Sequence, residues 1–111
     1  MRQSVEDVKR LVSIVGDSLE SASVREDFGQ LVVCIEARQF SDIAVSSLQK
    51  FAEGVCSRKQ PGVDDASVDL ELPSRRVYYM PPVRNEDGKA LELKQFRDEL
   101  KNAGIKVASW K

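Results

Sequence analysis

The sequence predicts an α+β domain in which one helix precedes six segments in the order β-α-β-β-α-β. Three observations carry this. Val5, Val8, Val12, Val15 and Leu19 recur at alternating spacings of 3 and 4, the period of a helix with one buried face. Gly29-Gln-Leu-Val-Val-Cys-Ile-Glu36 is apolar on both alternating faces, as a strand in the middle of a sheet must be. Ser67-Val-Asp-Leu-Glu-Leu72 and Arg76-Val-Tyr-Tyr-Met80 flank a proline turn and read as a hairpin.

The first helix is capped by Ser4, and Asp7 suits the positive end of its dipole. Leu11 and Ile14 widen its apolar stripe, which is too short for a coiled coil and is expected to pack on its own domain.

The segment 24–36 decides the fold. As a strand, Gly29–Glu36 puts Leu31, Val33 and Ile35 on one face and Val32, Cys34 and Glu36 on the other. As a helix, Ser23 and Glu26 form a capping box and Val24, Phe28, Leu31, Val32 and Ile35 line one side. The helical alternative gives a winged-helix-like ααα-ββ-α-β chain, with 41–57 as recognition helix and 67–80 as wing. Gly29 inside a helix costs about 1 kcal/mol, and the β-branched residues of 31–35 favour extension, so the strand is preferred.

Ser41 and Asp42 open the next helix, whose buried stripe is Ala44, Leu48, Phe51 and Val55 with Ala52 beside it. Arg58 and Lys59 suit its negative end, and Pro61-Gly62 stops the chain. In the hairpin, Pro73 cannot supply the positive φ of a two-residue I′ turn, so a four-residue loop around a type I turn is expected. That loop pairs Glu71 with Arg76, Leu70 with Val77, Asp69 with Tyr78 and Val68 with Tyr79. A Glu71–Arg76 cross-strand ion pair follows from this register.

Pro81-Pro82 ends the strand, and Arg84–Gly88 is a polar surface loop. A last helix carries Leu93, Phe96, Leu100 and Ala103, with Gly104 as its left-handed cap. Ile105–Trp110 alternates as a closing strand.

The whole chain, 1–111, is thus one domain: an N-terminal helix and connection over 1–28, then an α+β sandwich over 29–111. The order is that of a ferredoxin-like split with a four-stranded antiparallel sheet. Right-handed crossovers set its two helices on one face. The opposite face carries Val32, Cys34, Arg76, Tyr78, Met80, Lys106, Ala108 and Trp110, with Asp69 and Glu71 at its edge. From these, Arg76, Tyr78, Met80, Lys106 and Trp110 are the candidate binding residues, because aromatic, methionine and arginine side chains are enriched at interface cores. The competing expectation is that the N-terminal helix folds over this face and buries it.

Chemistry is sparse. The chain has no histidine, which removes the commonest general base and metal ligand. Two cysteines, Cys34 and Cys56, make no disulfide framework and no metal spacing. Cys34 reads as a buried structural residue and Cys56 as a helix-end filler. Asp64, Asp65, Asp69 and Glu71 lack the spacing of a calcium loop. No phosphate loop, dinucleotide fingerprint or nucleophile elbow occurs, so neither catalysis nor a cofactor is expected.

No apolar run reaches the roughly 18 residues of a membrane span and no signal-peptide core is visible, so a cytoplasmic protein with no membrane partner is expected. The net charge of −1 gives no overall pull toward nucleic acid. Residues 73–111 nonetheless hold 9 basic against 5 acidic side chains. The expected function is a small non-catalytic protein-binding module of inhibitor, immunity or adaptor type. Its partner would be another protein or a second copy, as in a dimer. A nucleic-acid-binding regulator using the basic C-terminal third is the alternative. The aromatic-free strand Leu31–Ile35 argues against base stacking on the sheet.

Overall fold

Gly16 breaks the first apolar stripe. It takes φ +59°, a left-handed conformation, so helix α1 (Gln3–Val15) stops at Val15 and a 3₁₀ turn, Gly16–Ser18, reverses the chain. The structure is a computed structural model that describes residues 3–58, 66–84 and 89–109. What the sequence presented as a helix with a stripe running to Leu19, and a connection reaching residue 28, is therefore a shorter helix and a strand, β1 (Leu19–Asp27). Its partner β2 (Gln30–Ala37) follows after a two-residue turn at Phe28-Gly29, with φ of +52° and +80°. Two successive positive φ values are the signature of a type I′ turn, whose twist matches that of the flanking strands. The helical alternative for 24–36, and the winged-helix arrangement built on it, are overturned by this hairpin.

Helix α2 (Asp42–Cys56) begins as its sequence dictates, with the Ser41 Oγ accepting from the Ala44 N–H at 3.1 Å. Leu48, Phe51 and Val55 are buried along one stripe. The Pro61-Gly62 stop and the Asp64-Asp65 carboxylates lie outside the described residues. Strands β3 (Ser67–Glu71) and β4 (Arg76–Met80) pair in the expected register, Glu71 with Arg76 through Val68 with Tyr79. The four-residue loop between them is a 3₁₀ turn, Leu72–Ser74, closed by Arg75 at φ +60°.

Helix α3 (Leu93–Asn102) ends in a Schellman motif. The Ile105 N–H donates to the Leu100 carbonyl at 2.9 Å and the Gly104 N–H to the Lys101 carbonyl at 3.0 Å, with Gly104 at φ +85°. The closing strand β5 (Ala108–Ser109) is shorter than the alternation of Ile105–Trp110 suggests.

The five strands lie in the order β3-β4-β2-β1-β5. The first four form an antiparallel sheet, and β5 runs parallel to β1 through Ser23↔Ala108 and Val24↔Ser109. The ferredoxin-like order is kept, with β1 inserted between β2 and the closing strand. β2 stands at the centre, as its two apolar faces require.

All three helices pack on one side. α2 lies against β3, α3 against β1, and α1 sits between them above β2. Val5, Val8 and Leu11 of α1 meet Leu48, Phe51, Phe96, Leu100 and the inward strand residues Val24, Val33, Ile35, Val77 and Tyr79 in one core. Each fully buried aliphatic or aromatic side chain contributes about 1.5–3 kcal/mol relative to exposure. The expectation that the N-terminal helix covers the far side of the sheet is thus corrected. Its valine stripe widens the existing helical layer instead.

Candidate functional site

The side of the sheet away from the helices has no covering element among the described residues. Alternation along the strands places Ser23 and Arg25 of β1, Val32, Cys34 and Glu36 of β2, and Arg76, Tyr78 and Met80 of β4 on it. Asp69 and Glu71 of β3 border it. Cys34 and Val32 are nonetheless buried, because longer side chains on the neighbouring strands roof them. Arg25, Arg76, Tyr78 and Met80, the neighbours that do so, are each half-buried.

Arg76 is the electrostatic centre of this face. Its Nε lies 3.4 Å from the Glu36 Oε1. A hydrogen bond to Tyr78, and then the Glu36 carboxylate, hold the guanidinium above its ordinary value, so it stays charged. The ion partner is Glu36 on the central strand, not the cross-strand Glu71 that register alone suggested. Glu71 instead accepts from the Ser74 Oγ at 3.3 Å. Burial pushes the Cys34 thiol up, with Glu36 adding to the shift, and Arg76 opposes it. The neutral thiol is a packing group rather than a nucleophile.

The structure brings Arg76, Tyr78 and Met80 together on β4. Lys106 lies elsewhere, in the coil before β5, lining a groove of about 520 Å³ with Lys94, Arg97, Asp98 and Lys101 of α3. Trp110 lies outside the described residues. Cys56 is exposed at the end of α2, not packed as a filler. Among the described residues, no group of three or more His, Cys, Asp or Glu side chains is placed to hold a metal ion. No described helix is long and apolar enough to cross a membrane.

Three features escaped the sequence. The first is a buried polar cluster. Asp7 is 5% exposed on the inner side of α1, and its Oδ2 accepts from the Tyr79 hydroxyl at 2.6 Å. Arg58, from the end of α2, donates to both carboxylate oxygens at 3.0 Å, and the Gln3 Nε2 donates to Oδ1 at 3.0 Å. Burial, followed by the bond to Asp7, pushes the Tyr79 phenol far up. Asp7 was legible as a dipole residue only, although it stands four positions before Leu11 and so on the buried stripe.

The second feature is a groove of about 740 Å³ between α1 and α2, above this cluster. Lys9, Arg10, Lys50 and Arg58 line it over Phe51, Gly54 and Val55, with Glu6 and Asp7 as its carboxylates. Gly54, in the last turn of α2, has no positive φ to require a glycine, and a Cβ added to it would meet nothing within 4 Å. A glycine in a helix costs up to about 1 kcal/mol relative to alanine, and the packing of the described residues gives no reason for it.

The third is the β1–β2 turn. Phe28 is 103% exposed and holds φ +52°. A side chain with a Cβ in that conformation costs roughly 1–2 kcal/mol, and an exposed aromatic gains nothing back from burial. Glu26 and Asp27 stand beside it.

Comparison with known protein families, with curated proteins and with solved structures finds no match to this chain.

Proposed function

We propose that this chain is a non-catalytic protein-binding module that engages a protein partner through the uncovered sheet face, with Arg76, Tyr78 and Met80 at the centre of the contact. One observation carries the reading: α1, α2 and α3 all lie on the other side, leaving this face without a covering element among the described residues. A tyrosine, a methionine and a charged arginine at alternate positions of one strand, and so on one face, are what a desolvated interface core uses. Lys106 falls on a different surface and is not part of this contact.

The test compares wild type with the Tyr78→Ala and Met80→Ala variants in affinity capture from the source organism. A specific protein held by the wild type should be lost from both variants, at about 2 kcal/mol for a hot-spot side chain, with the melting temperature nearly unchanged. Equal capture by the variants, or a collapse of their stability, defeats the reading.

A second reading has its own observation. Lys94, Arg97 and Lys101 share one face of α3, and Lys106 joins them against a single Asp98. Four cations so grouped suit a nucleic-acid backbone. Salt separates the two readings: phosphate contacts make affinity fall steeply with ionic strength, whereas the sheet-face contact responds weakly.

A further inference from the structure

We infer that the chain forms a symmetric dimer in which the Phe28 turn of each copy enters the α1–α2 groove of the other. This goes beyond the sheet-face reading and uses different residues. The turn carries a fully exposed aromatic ring in a left-handed conformation, flanked by the exposed Glu26 and by Asp27, whose carboxylate lies 3.7 Å from the Arg25 guanidinium in an exposed pair that a partner's cations can join. The groove offers the complement: a rim of Lys9, Arg10, Lys50 and Arg58 around the exposed Gly54, with the core residues Phe51 and Val55 packed beneath. Arg58 is already engaged by Asp7, so the remaining positive charge falls to Lys9, Arg10 and Lys50, with Glu6 the one further carboxylate lining the groove among the described residues.

Two residues that disfavour the isolated fold are explained together by this contact. Glycine or asparagine would suit the Phe28 backbone better, and nothing in the packing of the described residues requires Gly54 to lack a side chain. An incoming ring accounts for both, since Gly54 lets it approach the backbone of α2. An anionic membrane is the poorer occupant for the turn, because Glu26 and Asp27 would be repelled by its headgroups.

A reciprocal exchange of turns about one twofold axis fills both grooves and leaves neither turn free, so the arrangement closes at two copies.

Sedimentation equilibrium across a wide range of concentrations tests this with the full chain. The wild type should rise to a plateau at twice the chain mass. Phe28→Gly should dimerise roughly 900-fold more weakly, because each dimer loses two hot-spot side chains at about 30-fold apiece, with no loss of melting temperature at concentrations where both chains are monomeric because glycine accepts the turn. Glu26→Lys with Asp27→Lys should also dissociate the dimer, and adding Arg10→Glu with Lys50→Glu to the same chain should restore it. A wild type that stays at the mass of one chain overturns the inference. So does undiminished association of Phe28→Gly, failure of the combined charge reversal to restore the dimer, or growth past two copies.

Discussion

The Tyr79 hydroxyl donates to the Asp7 carboxylate at 2.6 Å, joining a central strand to a helix 72 residues earlier in the chain. The bond is buried, and Arg58 and Gln3 satisfy the rest of the carboxylate. It fixes where along β4 the first helix sits, which a stripe of valines alone would leave free to slide.

Replacing Asp7 with alanine should cost roughly 1–3 kcal/mol, because it takes the carboxylate acceptor from a buried phenol hydroxyl and leaves it only the Ser4 side chain. Arg58→Ala should cost less than about 1 kcal/mol, since that side chain is 38% exposed and its ion pair is screened by water. Urea denaturation of the two variants checks the ranking. Equal losses would show that the charge pair, not the hydroxyl, carries the cluster.

Alkaline pH should unfold the protein through Tyr79. Its phenol is pushed well above the ordinary value of 10, so the folded state holds the proton that the unfolded chain releases. The stabilisation is complete below pH 10 and is lost as the pH climbs beyond it. Cys34, raised from 9.0, begins the same decline slightly earlier. Thermal melts between pH 8 and 12 should show this fall, and Phe in place of Tyr79 should flatten it. A flat profile in the wild type would contradict the cluster's burial.

Leu48 and Phe96 are both fully buried, on α2 and α3. Truncation to alanine should cost about 2–5 kcal/mol for the first and about 3–5 kcal/mol for the second. Chemical denaturation measures both, and a loss under about 1 kcal/mol at either would mean that its helix does not face the sheet as described.

Arg75 closes the β3–β4 loop at φ +60°. Arg75→Gly removes the clash of its Cβ and should leave stability unchanged or raise it by up to about 1 kcal/mol. A clear loss in a thermal melt would show that the arginine side chain holds the loop by contacts of its own.

The β3–β4 hairpin was legible to the residue. Pro73 rules out the tightest turns, and once the loop length is set, alternation fixes every pair. Helix α2 was equally plain, from its cap to its stripe, except that Ala44 is only half-buried. β1 was not legible, for three physical reasons. Its inner face buries only Ala22 and Val24, so alternation is faint. Leu19 continues the helical spacing of α1, which hides the break at Gly16. Its turn carries Phe28 where asparagine or aspartate would have announced a hairpin. Among the site residues, Arg76, Tyr78 and Met80 follow directly from strand alternation. Lys106 did not, because the coil before β5 turns it toward α3. The Asp7–Tyr79 bond links distant segments, and no local pattern encodes such a pairing.

Neighbouring strands are spaced about 4.8 Å apart and packed helices about 8–10 Å apart. A floor of four strands seats two helices comfortably and leaves a third overhanging. The inserted β1 supplies the missing breadth on the side where α3 rests, so α1 and β1 belong together as one addition: roof tile and floorboard. Trimming the chain before Gly16 would leave the floor too broad for its roof, baring Val24, Val33 and Ile35 to water.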